Sequence, residues 1–405
     1  MSHESCPHCQ ASPYAGLSYE DELEAKLGML RESLVSEPGL PELLPAGLLE
    51  GLELHAAPRR EGYRNTVKLV FGWERVARRA LLGIYAPGSH RLLDLAACRD
   101  HHPAMAPILA FVSEGVARHG LPVYHEERAK GFLRYFLLRV LPDGRALCCF
   151  VTPHAEGAWQ EKVEALAHEL RGAFPELRSI AQNLNPTRGN AVLGAVTQTL
   201  AGQFSVPCRF LETSVPVTAT CFLQANLEQF RAILARLDAF RAEREAAQAG
   251  RPLRVADLYC GCGAIGRSIT RSQPLFLLEG EHASQVPLVE GAREDGREEI
   301  EVVRGRVEDC LTSLELFEPD LAVADPPRKG LDPALLDWLA SQRPAALALL
   351  SCNPATLARD LRRLLAAGYR LRGLAGYDMM PGVAHVEALA LLDRTRRDST
   401  SIRKT

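Results

Sequence analysis

What most constrains this chain is an alternation. From about residue 217 onward, apolar runs at 253–259, 274–278, 301–304, 321–324 and 345–350 take turns with helical stretches. Strands separated by helices pair in parallel, take helices on both faces and leave a cleft beyond their carboxyl ends. The pattern therefore predicts an α/β fold with a doubly wound sheet. It changes at the end. Two strand-like runs, 369–377 and 386–392, follow each other across a loop containing Pro381-Gly382, as an antiparallel hairpin closing the sheet's edge does.

Upstream the pattern is mixed α/β. Strands are predicted at 66–73, 80–85, 180–185 and 192–200, and helices at 104–118 and 159–173. A hairpin is predicted at 133–141 and 146–152 across Pro142-Asp143-Gly144, a good turn sequence. A helix over 20–34 carries Leu23, Leu27, Leu30 and Leu34 at core-facing spacing. The divisions read from these shifts are an N-terminal segment 1–50, a central domain 51–216, a third domain 217–395 and a tail 396–405.

Composition excludes whole classes. With 47% hydrophobic and 24% charged residues, the chain is neither disordered nor fibrous. No apolar run reaches the roughly 18 residues that span a bilayer, and the N-terminus lacks the pattern of a signal peptide. A cytoplasmic protein is expected, its 11 cysteines being thiols or metal ligands rather than disulfides. Residues 1–50 hold 2 Lys and Arg against 9 Asp and Glu, whereas residues 51–150 hold 15 against 9. The basic stretch, with Arg59, Arg60, Arg64, Lys68, Arg75, Arg78 and Arg79 close together, suits a phosphate backbone.

Five places carry chemistry. Asp257-Leu-Tyr-Cys-Gly-Cys-Gly263 joins a strand to a helix, and Gly261, Gly263 and Gly266 have the spacing of an adenosine-cofactor turn. Glu279 supplies an acid about 20 residues on, where ribose hydroxyls are held, with Glu281 as competitor. Asp325-Pro326-Pro327-Arg328 ends a strand facing the same cleft. Cys352, in Ser351-Cys352-Asn353-Pro354, ends another. A cysteine there is ordinarily a small core residue, so its neighbours must decide. Glu387 stands at the mouth of the last apolar strand, where desolvation raises a carboxyl's pKa and suits it to general-base work. Cys6 and Cys9, two residues apart, have metal-ligand spacing but need companions.

FLQAN (222–226), DLYCGCG (257–263), DPPRKG (325–330), SCNPATLARDL (351–361) and DMMPGVAHVE (378–387), in this order, resemble the RNA uracil-5 methyltransferases that form 5-methyluridine in tRNA and 23S ribosomal RNA. The resemblance extends more weakly to RNTVKLV (64–70) and CPHCQ. It implies a Rossmann-like class I methyltransferase sheet, and the central domain would then bind RNA. It makes Cys352 the catalytic nucleophile and Glu387 the general base. Gln224, Tyr259, Glu279 and Asp325 would bind S-adenosylmethionine. Cys6, Cys9 and Cys98 match three of the four cysteines that hold a [4Fe-4S] cluster in the 23S-type enzymes, which leaves the cluster incomplete. Met380 and Val383 depart from the family's phenylalanine and threonine.

The cysteine-bearing N-terminus, with no RNA-binding barrel before it, favours ribosomal RNA over a tRNA T-loop, and a monomer is expected. Neighbouring chemistries fit less well. An adenine amino-methyltransferase would want an aromatic residue where Arg328 stands. A cytosine-5 enzyme would carry a cysteine near Asp325. A dehydrogenase, or a non-catalytic RNA-binding or redox module, would leave Cys352 and Glu387 unexplained.

Overall fold

The computed structural model describes residues 12–394 apart from 87, 90, 190, 249 and 343. The first helix, α1 (Tyr19–Ser36), is capped by Ser18, whose hydroxyl accepts from the amide of Asp21. A short strand, β1 (Glu53–His55), follows. Seven strands then form one sheet: β2 (Thr66–Glu74), β3 (Arg79–Tyr85), β4 (Leu92–Asp94), β5 (Tyr135–Val140), β6 (Ala146–Thr152), β7 (Leu177–Leu184) and β8 (Val196–Gly202). Their order is β4-β3-β2-β5-β6-β7-β8. Only β6 and β7 pair in parallel, because α3 (Ala158–Ala173) crosses over between them. The other helix of this unit, α2 (Met105–His119), lies between β4 and β5 in sequence and ends on Gly120 in the left-handed conformation. The small hairpin β9 (Val206–Phe210) and β10 (Thr213–Val217) comes next; its short polar-apolar runs were not singled out in the sequence.

The second sheet is built by α4 (Leu227–Ala246), β11 (Val255–Leu258), α5 (Ala264–Ile269), β12 (Leu275–Glu279), α6 (His282–Glu294), β13 (Ile300–Arg304), α7 (Leu311–Phe317), β14 (Leu321–Ala324), α8 (Pro333–Gln342), β15 (Ala346–Ser351), α9 (Pro354–Ala366), β16 (Tyr369–Tyr377) and β17 (Glu387–Arg394). Its eight strands run β1-β16-β17-β15-β14-β11-β12-β13. Strands β11 to β15 are parallel, and β11, β12, β14 and β15 are buried along their whole length. That is why they read as continuous apolar runs rather than alternating ones. β11 lies beside β14, with β12 on its other side, so the strand order reverses there and opens a crevice at the carboxyl ends.

The terminal hairpin is antiparallel as expected, but it does not close the edge. β17 inserts between β15 and β16, and β1 pairs in parallel with β16 outside it. A strand from inside the expected central division 51–216 thus joins the sheet of residues 217–395, and a three-residue strand has no periodicity to mark it in the sequence. The 192–200 run also shortens: only from Val196 is it strand, since Asn185 Nδ2 holds the carbonyls of Ala191 and Val192 in a loop.

Three apolar clusters hold the elements. One lies between the two sheets and joins Leu137, Cys149 and Val151 to Phe230, Val255 and Leu350. The second covers the other face of the larger sheet with α1, α8 and α9. The third packs α2 and α3 behind the smaller sheet. Arg139 is the polar link across the first. Its buried guanidinium donates to the carbonyls of Thr218 (2.5 Å) and Cys221 (2.7 Å), just before the FLQAN segment.

Candidate active site

The segments singled out in the sequence end around one cleft of about 780 Å³. At the end of β11 the fully buried Asp257 carboxylate accepts from the amide of Gly266 at 2.6 Å and folds the glycine turn back on itself. Gly266 has to be glycine, since a Cβ there would lie 2.8 Å from that of Asp257. Tyr259 begins the turn at φ +60, a left-handed conformation costly for a tyrosine and characteristic of functional turns. Burial pushes Asp257 up to about 8, against the Gly266 hydrogen bond.

Glu279, at the end of β12, reaches the same turn. Its carboxylate accepts from the amide of Gly261 at 2.7 Å and from that of Glu281. Burial raises its pKa, and those two amides pull the other way. Glu281 also lines the cleft but is exposed, accepting from the Ser284 hydroxyl at 3.2 Å. At the end of β14 the Asp325 carboxylate accepts from Gln224 Nε2 at 3.2 Å. Burial pushes Asp325 up to about 7, with the Gln224 hydrogen bond opposing. Gln224 itself is placed by its neighbours. Asn226 caps α4, and Asn65 ties the segment to β2 through the Ala225 carbonyl at 2.6 Å and the Leu227 amide at 3.3 Å.

The residues around Cys352 form a turn that presents the thiol. Ser351 Oγ accepts from the Asn353 amide at 3.3 Å and donates to its carbonyl at 3.1 Å. Asn353 caps α9, with Pro354 in the first helical turn. Its side-chain amide donates to the Arg328 carbonyl at 3.0 Å and so stitches the end of β15 to the loop after β14. Cys352 is left half-buried against the cleft. Glu387, the first residue of β17, is 3% exposed, and its Oε1 has no hydrogen-bond partner. A buried, unpaired carboxyl oxygen is costly unless something enters to meet it.

Six of the expected site residues are thus brought together: Gln224, Tyr259, Glu279, Asp325, Cys352 and Glu387 all line the cleft. The cysteines expected to hold a cluster are not among them. Cys6 and Cys9 lie outside the described residues. Cys98 is 7% exposed within the apolar cluster behind the smaller sheet. Among the described residues no group of three or more His, Cys, Asp or Glu is arranged to hold a metal, so they do not supply a four-thiolate site.

Comparison with known proteins places the chain. A family model described as tRNA (uracil-5-)-methyltransferase matches residues 291–395. A Gloeobacter violaceus protein, described as an uncharacterized RNA methyltransferase, is 34% identical over 395 residues, covering 97% of this chain and 81% of its own. The chain belongs to the RNA uracil-5 methyltransferase family. A similarly described Geobacter sulfurreducens protein is 30% identical over 398 residues, covering 95% of this chain and 75% of its own. Among solved structures, the Pyrococcus abyssi tRNA (uracil-54, C5)-methyltransferase in complex with S-adenosyl-L-homocysteine has a TM-score of 0.72 at 20% identity, over 96% of this chain and 86% of that one. The fold is shared across that distance. The chain is an S-adenosylmethionine-dependent RNA methyltransferase with a Rossmann-like sheet. No helix among the described residues is long and apolar enough to cross a membrane.

Several cleft residues of this methyltransferase were not singled out as site residues in the sequence. Phe222 is 51% exposed at the cleft, and His385 lines it with Nδ1 unpartnered. Both stand in the quoted motifs, two residues before Gln224 and Glu387. Burial, with Arg328, Lys26 and Arg64 nearby, pushes His385 down to about 4, so it is neutral at pH 7. Arg64 and Lys68 line the cleft from the other sheet and belong to the basic stretch already noted.

The electrostatics give a pH prediction. Burial raises the Cys352 thiol, Glu387 and Asp325 raise it further, and Arg328 opposes them. Burial and then Asp325 push Glu387 well above the carboxylate range. The resemblance makes Cys352 a nucleophile and Glu387 a base, each of which would react deprotonated, and both pKa values are raised. The kcat/KM of the methyltransferase therefore rises with pH through neutrality. Replacing Arg328 by methionine removes the charge that holds the thiol down and moves this ascending limb to higher pH. An unmoved limb, recorded from pH 6 to 9.5, would show that the Cys352 thiolate does not govern it.

Proposed function

We propose that the enzyme methylates C5 of a uridine in RNA through a covalent bond between Cys352 and C6 of the base. The observation that carries this reading is that the Cys352 thiol and the unpartnered Glu387 carboxyl line one cleft with the glycine turn. Uracil C5 is too poor a nucleophile to take a methyl group directly. Addition of the Cys352 thiolate to C6 moves the C5–C6 π electrons into an enolate, and C5 becomes nucleophilic. C5 attacks the methyl carbon of the S-adenosylmethionine sulfonium, the C5–CH3 bond forming as the S–CH3 bond breaks and S-adenosylhomocysteine leaves as a neutral thioether. Once C5 carries both the methyl group and a proton, Glu387 removes the proton, the double bond reforms, and the thiolate leaves from C6. Covalent catalysis thereby divides one difficult step into easier ones.

In this reading Gln224, Tyr259, Glu279 and Asp325 hold the cofactor. Glu279 rather than Glu281 meets the ribose, because its carboxylate already contacts the glycine turn. The substrate base leaves its stack to reach the cleft, as buried chemistry on a base requires. Residues 51–216 hold the surrounding RNA, with Arg64 and Lys68 facing phosphate at the cleft.

The Cys6-x-x-Cys9 pair, tied by resemblance to the 23S-type enzymes, supports ribosomal RNA as the target. The family model's description names tRNA, which makes a T-loop uridine the second reading. Mapping 5-methyluridine in ribosomal RNA and tRNA from cells with and without the gene decides between them. The expected result is loss at a 23S position with tRNA unchanged. Loss confined to the T-loop reverses the target, and no loss in any RNA removes the assignment to C5 of uridine.

A further inference from the structure

The spacing of α1 places Leu23 and Leu27 toward the core. In the structure Leu30 and Leu34 are fully buried and Leu27 packs beside them, and Glu22 and Lys26, each with 0% exposure, are buried in line with Leu30 and Leu34. They meet Asp378, also fully buried, at the start of the loop that joins β16 to β17 and delivers Glu387. Lys26 Nζ donates to Glu22 Oε1 at 2.7 Å, Asp378 Oδ1 at 2.8 Å and the Met380 carbonyl at 3.0 Å. An ammonium has three hydrogens, so all are used. Glu22 Oε1 also accepts from the Gly382 amide at 2.5 Å, and Asp378 accepts from Tyr19 Oη at 2.9 Å and the Met380 amide at 3.2 Å. Two further side chains grip the same backbone: Ser12 Oγ donates to the Gly382 carbonyl at 2.5 Å, and Tyr63 Oη to the Pro381 carbonyl at 3.1 Å.

Met380, Pro381 and Gly382 are thus each held by a side chain from the first 63 residues. A fully buried ion triad contributes little net stability, because desolvation offsets the attraction. What it does supply is one fixed geometry, and this loop carries Met380 and His385 into the cleft on its way to Glu387.

We propose that Lys26, with Glu22 and Asp378, is a positioning residue for the general base: the clamp sets the approach of Glu387 to C5 of the bound base. The proposal rests on the reading of Glu387 given above. It separates two steps. Addition of Cys352 and methyl transfer do not need Glu387, whereas removal of the C5 proton does. RNA carrying 5-fluorouridine has no C5 proton and reads the first two steps alone. Ordinary RNA reads the whole cycle.

The test is Lys26→Met, which keeps the length of the side chain and removes the ammonium. The rate of adduct trapping on 5-fluorouridine RNA is expected to stay within about threefold of the wild type. Turnover on uridine RNA is expected to fall roughly 10- to 100-fold, as misplacement of a catalytic group by about an ångström does. Methylated protein–RNA adduct then accumulates. Tyr63→Phe, which removes one hydroxyl, shifts the same ratio in the same direction by a smaller factor, and it decides the matter if Lys26→Met does not fold. A parallel fall in both assays, or unchanged turnover on uridine RNA, overturns the clamp. Glu387→Gln serves as the reference. If it traps no adduct on uridine RNA, the base assignment has failed; if it does and the clamp variants do not, only the clamp has failed.

Discussion

Cys352→Ala is expected to abolish methyl transfer, with turnover falling at least about 10⁴-fold, the scale on which enzymes respond to loss of a covalent nucleophile. The fold should survive. The thiol is half-buried, and the turn around it is held by Ser351 and Asn353 rather than by sulfur. Removing one such atom costs stability of about 1 kcal/mol. S-adenosylmethionine should bind with unchanged affinity by calorimetry, because the glycine turn and the Gln224–Asp325 pair are untouched. Trapping on 5-fluorouridine RNA should disappear. Measurable turnover in this variant would exclude covalent activation of the base.

The second large effect is opposite in kind. Glu387→Gln should leave nucleophile and cofactor turn in place, so addition and methyl transfer proceed, but the C5 proton is not removed. Overall turnover is expected to drop about 10²- to 10⁴-fold, the usual contribution of a general base. The enzyme should then remain bonded to methylated RNA, visible as a slow band on a denaturing gel with ordinary uridine RNA. The substitution suits the site, because a neutral carboxamide replaces a carboxyl that burial and Asp325 already push toward its neutral form. Finding free product and free enzyme at the wild-type rate would assign the proton transfer to another group, with Asp325 the next candidate.

Most strands and helices were legible because their signals are local. β12 reads Leu275-Phe-Leu-Leu-Glu279 and is buried throughout, so its sequence is a continuous apolar run. Asn353-Pro354 marks the start of α9, and Asn226 that of α4, as cap chemistry requires. Strand β1 and the β9–β10 hairpin escaped notice, being too short to show a period. The site was legible to the extent that its residues stand at strand ends. Glu279, Asp325, Cys352 and Glu387 could be picked out there from the residues, and Gln224 and Tyr259 only from the resemblance, whereas the Arg328 influence on Cys352 and the Asp325 influence on Glu387 could not. Charge coupling depends on separation in space, for which the order of motifs gives no measure.

The sequence by itself determined that parallel strands and helices alternate after residue 217, that a glycine turn follows β11, and that a cysteine and a carboxylate end strands of the same sheet. Each of these is written in neighbouring residues, by periodicity or by a glycine that a turn requires. Only the tertiary structure decided that β17 inserts beside β15, that β1 closes the edge, and that Lys26 meets Asp378 across 352 residues of chain. α1 shows why. Its leucines advertise an apolar stripe, yet the buried face also takes in Glu22 and Lys26, because a carboxylate, a backbone carbonyl and a backbone amide wait on the loop it packs against. A buried charge is tolerable only where its partners already stand, and where they stand is a property of the folded chain.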